Sequence, residues 1–297
     1  MAVIDRLLAP DSPLSRRFFF LAKRFVAGDT IASALDAVRA LNGEGLTATL
    51  DFLGEDVTQR EEAERTRDVY LELLDAIRRD GLRTNVSVKL TALGLLIDER
   101  LAASHLEQIA ARAAANDDPF VRIDMEGSAL TDATLRVFER AFATYRNVGP
   151  VLQCYLHRTA ADLEHAIALG ARVRLCKGAY NEPREIAYKD MPTIRREYVR
   201  LAETLLARGT YPGIATHDER IIEAVRTFVR AHSVGVDTFE FQMLYGVRPD
   251  AQRELVRDGY RVRVYVPFGT HWAGYFYRRV IERRENAMLA LRALVSR

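Results

Sequence analysis

The sequence predicts an α/β chain folded as a (β/α)8 TIM-type barrel, and three observations carry that prediction. From residue 45 onward, short apolar, β-branched runs alternate with segments of helical period, eight times over. Glycine punctuates the ends of many helical segments, at Gly81, Gly149, Gly170, Gly209, Gly235 and Gly259. No glycine-rich GxGxxG follows the first strand, which removes the main sequence sign of an open doubly wound sheet. Strand–helix alternation makes parallel βαβ units, and eight of them close a cylinder.

Taken in order, residues 1–44 read as a charged helical arm that packs on the barrel, with Ser12-Pro13 as a helix start. Its aromatic-basic run, Arg16-Arg17-Phe18-Phe19-Phe20, suits packing on the main domain better than lying on a lipid surface. Residues 45–297 form the barrel, including the C-terminal helix. Strands are expected at 46–52, 85–90, 120–126, 151–156, 171–176, 213–217, 236–242 and 261–266. Helices are expected at 60–79, 101–116, 131–145, 160–169, 193–208, 219–232 and 250–258.

Composition narrows the function classes. The 297 residues are 48% hydrophobic and 28% charged, as a globular domain should be. Lys+Arg 43 against Asp+Glu 41 leaves a formal charge of +2 with no long basic run, which excludes nucleic acid as the main partner. The two cysteines, Cys154 and Cys176, sit in apolar runs and give neither a disulfide framework nor a metal spacing. Leu7-Leu8 is too short for a signal-peptide core, and Lys23 and Arg24 break the longest early apolar run. The chain reads as cytoplasmic, with at most peripheral contact with the inner face of the membrane.

The strands have two faces of opposite character. One parity is apolar: Val86, Val88 and Leu90; Val121, Ile123 and Met125; Leu152, Cys154 and Leu156; Val262, Val264 and Val266. The other is polar: Asn85, Ser87 and Lys89; Arg122, Asp124 and Glu126; Gln153 and Tyr155; Arg172 and Arg174; Glu240 and Gln242; Arg263 and Tyr265. Barrel lumens are ordinarily packed with Val, Ile and Leu, so this one requires a mixed-sign network, water or a polar ligand to compensate its charges. Residues late in each strand lie at the C-terminal mouth, where barrel enzymes place their chemistry: Lys89, Asp124, Gln153, Arg174, Thr216-His217, Gln242 and Tyr265. In the last helix Glu282 stands three and four residues after Arg279 and Arg278. Spacing alone leaves two readings open there, an exposed ion-pair face or a pair of guanidiniums that clamp a carboxylate.

The residues alone also admit a Schiff-base aldolase using Lys89 or Lys177, because that chemistry needs a lysine of lowered pKa. A non-catalytic binding barrel is a third reading. His157, His217 and His271 lack metal-ligand spacing, so no metal is expected.

Eight stretches, in order, resemble the proline dehydrogenase family: Ser87-Val88-Lys89-Leu90, Asp124-Met125-Glu126, Gln153-Cys154-Tyr155, Arg174-Leu175-Cys176-Lys177-Gly178-Ala179-Tyr180, Ala215-Thr216-His217, Phe241-Gln242-Met243-Leu244, Tyr265-Val266-Pro267-Phe268-Gly269 and Tyr277-Arg278-Arg279-Val280-Ile281-Glu282. The resemblance spans roughly residues 45 to 285 and extends to the matching domain of bifunctional proline-utilisation enzymes. It implies a distorted barrel whose last helix caps the mouth, non-covalent FAD, and oxidation of L-proline to Δ1-pyrroline-5-carboxylate by hydride transfer from C5 to flavin N5. It further implies a quinone acceptor and admits a transient pyrroline-carboxylate dehydrogenase partner. Carried over by position, Lys89, Arg278 and Arg279 hold the substrate carboxylate, with Glu282 on the same helical face. Tyr180, Leu244 and Tyr265 pack around the pyrrolidine ring. Asp124 orients Tyr265, and Arg174 lies beside flavin N5. Met125, Gln153, Lys177, Gly178, Ala179, Thr216 and His217 are flavin contacts, and Glu55 pairs with Arg278 to close the site. Cys176 departs from the family, which usually has an aliphatic residue there.

Overall fold

Eight parallel strands close into a barrel in chain order, each bonded to the next and the last to the first. They are β1 (Thr47–Phe52), β2 (Thr84–Lys89), β3 (Val121–Asp124), β4 (Val148–Gln153), β5 (Arg174–Cys176), β6 (Gly213–Ala215), β7 (Glu240–Leu244) and β8 (Val262–Phe268). The computed structural model describes residues 24–272 and Tyr275; most of the N-terminal arm, and the expected last helix with Arg278, Arg279 and Glu282, lie outside the described residues. Around the barrel stand α1 (Ile31–Gly43), α2 (Arg60–Asp80), α3 (Glu99–Ala113), α4 (Thr131–Thr144), α5 (Thr159–Ala168), α6 (Met191–Arg208), α7 (Glu219–Ala231) and α8 (Pro249–Arg257).

Local chemistry sets these helices. Glu61 and Glu62 open α2 and Arg78 and Arg79 close it, matching the helix dipole at both ends. Gly81 then stops it in the left-handed region at φ 60°. Carboxylates cap three others: Asp98 at α3, Asp190 at α6 and Asp218 at α7 accept backbone N–H bonds from the first turn. The apolar strand parity faces these helices. Val86, Val88, Ile123, Leu175, Val264 and Val266 are fully buried, and each such side chain contributes about 1.5–3 kcal/mol.

Several expected boundaries differ. β4 begins at Val148, so Gly149 and Pro150 belong to the strand and do not end the preceding helix. At Gly149 a Cβ would meet the Arg172 carbonyl and the Phe120 ring, the latter at 2.6 Å. This glycine exists for close packing inside the sheet. β7 starts at Glu240, because Gly235 to Thr238 fold into a turn that leaves Val236 exposed. Gly235 does not end α7 either; the helix stops at Ala231, and Ser233 takes the left-handed conformation at φ 53°. β5 is only three residues long, and its neighbour Arg172 turns toward the N-terminal end of the barrel.

The polar parity points into the lumen, and a large part of it is paired internally. Glu240 bonds Gln242 at 2.5 Å and Arg263 at 2.6 Å, and Arg263 reaches Asp118 at 2.8 Å and the Ala48 carbonyl at 2.6 Å. Burial works to raise the Glu240 carboxyl, but Arg263 and Gln242 bring it below the ordinary carboxylate range. Gly149→Ala is expected to destabilise the fold by roughly 1–3 kcal/mol, as overpacking does, because a backbone carbonyl cannot move aside. Urea unfolding of the two proteins checks this; equal midpoints would show that β4 tolerates a methyl at this position.

Candidate active site

At the C-terminal mouth the strand ends enclose a cavity of about 530 Å³. Its floor is built around Asp124, at the end of β3. One carboxylate oxygen accepts from Ser87 Oγ and Arg174 Nη1, both at 2.8 Å, and the other accepts from Tyr265 Oη, also at 2.8 Å. Arg174 completes its fork on Gln242 Oε1 and reaches Ser87 Oγ at 3.2 Å. Its guanidinium also lies 5.4 Å from the Tyr265 ring centre. Burial, Asp124 and Asp51 together raise Tyr265 well above the ordinary phenol value, so the phenol remains a donor.

Lys89 stands next to this group and donates to Asp51 Oδ2 at 3.1 Å. Burial pulls the ammonium down, yet Asp51, Asp124, Glu55 and Glu126 outweigh it and leave Lys89 above its ordinary value. A lysine held protonated is a poor Schiff-base nucleophile, which counts against the aldolase reading. Asp51 itself is fully buried, and burial raises its carboxyl while Lys89 opposes the shift. Its Oδ1 has no hydrogen-bond partner among the described residues, so the Lys89 ammonium is its main compensation.

The remaining wall forms a cradle. Gly178 holds φ 115°, and a Cβ there would strike the Tyr155 ring, so only glycine lets the chain pass. Gln153 Nε2 donates to the Glu126 carbonyl at 3.0 Å. Lys177 and Arg195 both donate to Asp218, which also caps α7, so two cations share one carboxylate at the lip. Those bonds overcome the effect of burial and lower the Asp218 carboxyl. His217 Nε2 accepts from the Leu244 N–H at 2.8 Å, which fixes the ring against β7.

Of the residues expected at the site, Lys89, Asp124, Met125, Gln153, Arg174, Lys177, Gly178, Ala179, Tyr180, Thr216, His217, Leu244 and Tyr265 all line this cavity. Glu55 lies in the loop after β1, outside the cavity wall, and its charge acts on Lys89. Arg278, Arg279 and Glu282 fall outside the described residues. Sequence reasoning passed over Asp51, Arg195 and Asp218. The signal for Asp51 was its parity in β1, where it shares the inward register with Thr49. Glu126, on the inward parity, also belongs to this end of the barrel. Its two oxygens take the Thr91 N–H at 3.1 Å and the Thr91 hydroxyl at 2.6 Å. Thr91 in turn accepts from the Asp56 and Val57 N–H groups, at 3.1 and 3.2 Å, which ties down the loop carrying Glu55.

Polar atoms here converge on an apolar patch of Met125, Val151, Met243 and Leu244, in a volume that suits a planar cofactor with a small substrate. Arg174 in the floor and the cationic lip suit a group that carries negative charge. The molecule is thus a (β/α)8 barrel with an enzyme-type mouth. The proline dehydrogenase family profile matches residues 34–290. Proline dehydrogenase 1 of Bacillus subtilis is 40% identical over 276 residues, covering 93% of this chain and 91% of that protein. Proline dehydrogenase of Deinococcus radiodurans is 40% identical over 285 residues, covering 94% and 92%. The crystal structure of proline utilization A (PutA) from Bdellovibrio bacteriovorus, inactivated by N-propargylglycine, shares the fold with a TM-score of 0.84 at 24% identity, over 92% of this chain and 34% of that one. This chain belongs to the proline dehydrogenase family, and it is a flavin-dependent oxidoreductase of proline catabolism.

Burial pushes the Glu126 carboxyl up to about 7 against the pull of its Thr91 hydrogen bonds. The folded protein therefore keeps this proton until about pH 7, whereas the unfolded chain releases it near 4.5. Stability drawn from this group is greatest below pH 4.5 and declines as pH rises to about 7. Relative to Glu126→Gln, the wild type is expected to lose at most about 3 kcal/mol over that window. Urea unfolding of both proteins at the two ends of the range checks it; a pH-independent difference would remove Glu126 as the titrating group.

Proposed function

We propose that this chain binds FAD without a covalent link and oxidises L-proline to Δ1-pyrroline-5-carboxylate, passing the electrons to a quinone. The single observation that supports this most is the buried Lys89–Asp51 pair beside the Tyr265–Asp124–Arg174 cluster, a fixed cation next to a rigid polar floor. Bound at that floor, FAD would take a hydride from C5 of proline at its N5.

The chain's own residues supply orientation and charge. Lys89, kept protonated by Asp51, would hold the proline carboxylate together with Arg278 and Arg279, and Glu282 would steady those two arginines. Tyr180, Leu244 and Tyr265 would flank the pyrrolidine ring, with Asp124 fixing the Tyr265 hydroxyl. Arg174 would stabilise negative charge beside N5. Gln153, Met125, Lys177, Gly178, Ala179, Thr216 and His217 would hold the cofactor, and Glu55 would close the entrance against Arg278. The substrate amine must lose its proton before hydride departs, and that proton is left to solvent, so the rate should rise with pH.

A quinone is dissolved in lipid, so this reading has the cytoplasmic enzyme working at the inner face of the membrane. Among the described residues no helix is long and apolar enough to cross a membrane. The bifunctional protein PutA of Escherichia coli is 28% identical over 314 residues, covering 90% of this chain and 23% of that protein. By that analogy we take a pyrroline-carboxylate dehydrogenase as a transient partner that consumes the product.

The purified protein should be yellow, and anaerobic L-proline should bleach its flavin absorption. A colourless protein that takes up no FAD, or a colour that proline leaves unchanged, would overturn the reading. Arg278→Met and Arg279→Met should each raise the proline KM by about 10- to 100-fold while the protein stays yellow, since a charge-assisted hydrogen bond is worth roughly 1.5–3 kcal/mol. Tyr265→Ser should relax discrimination against hydroxyproline in a side-by-side assay, because the aromatic edge leaves no room for the hydroxyl; unchanged selectivity would count against that role.

A further inference from the structure

We propose that the N-terminal end of the barrel, opposite the mouth, carries a second site, which takes a tetrahedral oxyanion (free phosphate or a phosphate monoester) on Arg172 and Arg261. A separate cavity of about 600 Å³ opens there, and Arg83, Arg172, Arg261 and Arg263 line it against two carboxylates, Asp118 and Glu240. Arg263 is committed to those carboxylates, at 2.6 Å to Glu240 and 2.8 Å to Asp118. Arg83 donates to the Asn42 carbonyl at 2.7 Å. Arg122 lies just behind the wall, with a guanidinium bonded only to the Pro150 and Arg172 carbonyls, so it adds positive charge without an acidic partner among the described residues.

Arg172 is the unusual member. Its guanidinium is sandwiched between the rings of Phe120 and Tyr211, each 4.3 Å away. Stacking covers the faces of the group but satisfies none of its in-plane N–H donors. Its side chain donates no hydrogen bond among the described residues, and Nε is buried with no partner. Burial lowers Arg172 from its ordinary value, with Glu240 and Asp118 opposing, so the charge is held there at a cost. A solvated face would explain Arg261, which is exposed, but it does not explain a half-buried guanidinium with unmatched donors.

Tyr211 is placed to organise both cations. It holds φ 45°, immediately before Pro212, a conformation that an L side chain adopts only when its surroundings impose it. Its hydroxyl touches Glu240 Oε2 and Arg261 Nη1, each at 3.3 Å, and its ring stacks on Arg172. One strained residue thus presents two guanidiniums to the same cavity. Guanidinium forks match the oxygen spacing of phosphate, and a dianion answers an excess of two positive charges better than a single carboxylate does.

The test uses the FAD-loaded holoenzyme, so that the cofactor's own phosphate contacts are occupied. Thermal unfolding is followed while inorganic phosphate replaces chloride at constant ionic strength, with glycerol 3-phosphate in a parallel arm. The expected result is a rise of a few degrees in Tm with phosphate, lost in Arg172→Met and in Arg261→Met, with the flavin and its bleaching by proline intact in both. Because Arg261 is exposed, its variant keeps the fold even if loss of the Phe120–Arg172–Tyr211 stack loosens the other. A rise with both ligands assigns a site open enough for a monoester, and a rise with phosphate alone assigns free phosphate. No phosphate-specific rise, or a rise that survives in both variants, overturns the proposal.

Discussion

A charge inside a closed cylinder has to be answered inside that cylinder, and this constraint governs the whole molecule. Strands contribute side chains alternately to helices and lumen, and here the lumen half is ionic. One hydrogen-bonded chain runs from Tyr265 through Asp124, Arg174, Gln242, Glu240 and Arg263 to Asp118, almost the full height of the barrel. Each link is buried or nearly so, and removing one partner would strand another in a medium that solvates ions poorly. The apolar shell outside can therefore be varied by size and shape, whereas the interior is fixed by charge and donor geometry.

Function follows from where that chain meets the surface. At the mouth, Asp124 spends both oxygens on internal donors and so ties Tyr265 to Arg174. Lys89 is kept charged by the acids around it, Asp51 foremost, and its ammonium is in turn the main compensation for Asp51. Such a floor is rigid before any ligand arrives, which is what positioning chemistry requires. The lip is different. Asp218 is shared between Lys177, Arg195 and the start of α7, so helix placement and local charge are set by one side chain.

Much of this was legible from residue order, and the failures have physical causes. Strand parity identified the lumen, and late-strand position identified the mouth, because both depend only on a period of two and a common direction. Strand ends were misjudged where glycine and proline carry packing roles, as at Gly149 and Pro150, since a turn signal and a close-approach signal use the same residue. Asp51 was overlooked because an acid in a short strand looks like an ordinary surface residue until its neighbour Lys89 is placed beside it. Asp218 reads as a helix cap, which it is, and nothing in its local sequence announces two incoming cations from a loop and another helix.

The sharing of Asp124 among three donors has an evolutionary consequence. A substitution there does not loosen one contact by degrees; it releases a hydroxyl, a phenol and a guanidinium together, on the floor of the cavity. No single compensating change can quieten all three. Lineages that alter this centre must therefore pass through several coordinated replacements, while the surrounding hydrocarbon shell remains free to drift one residue at a time.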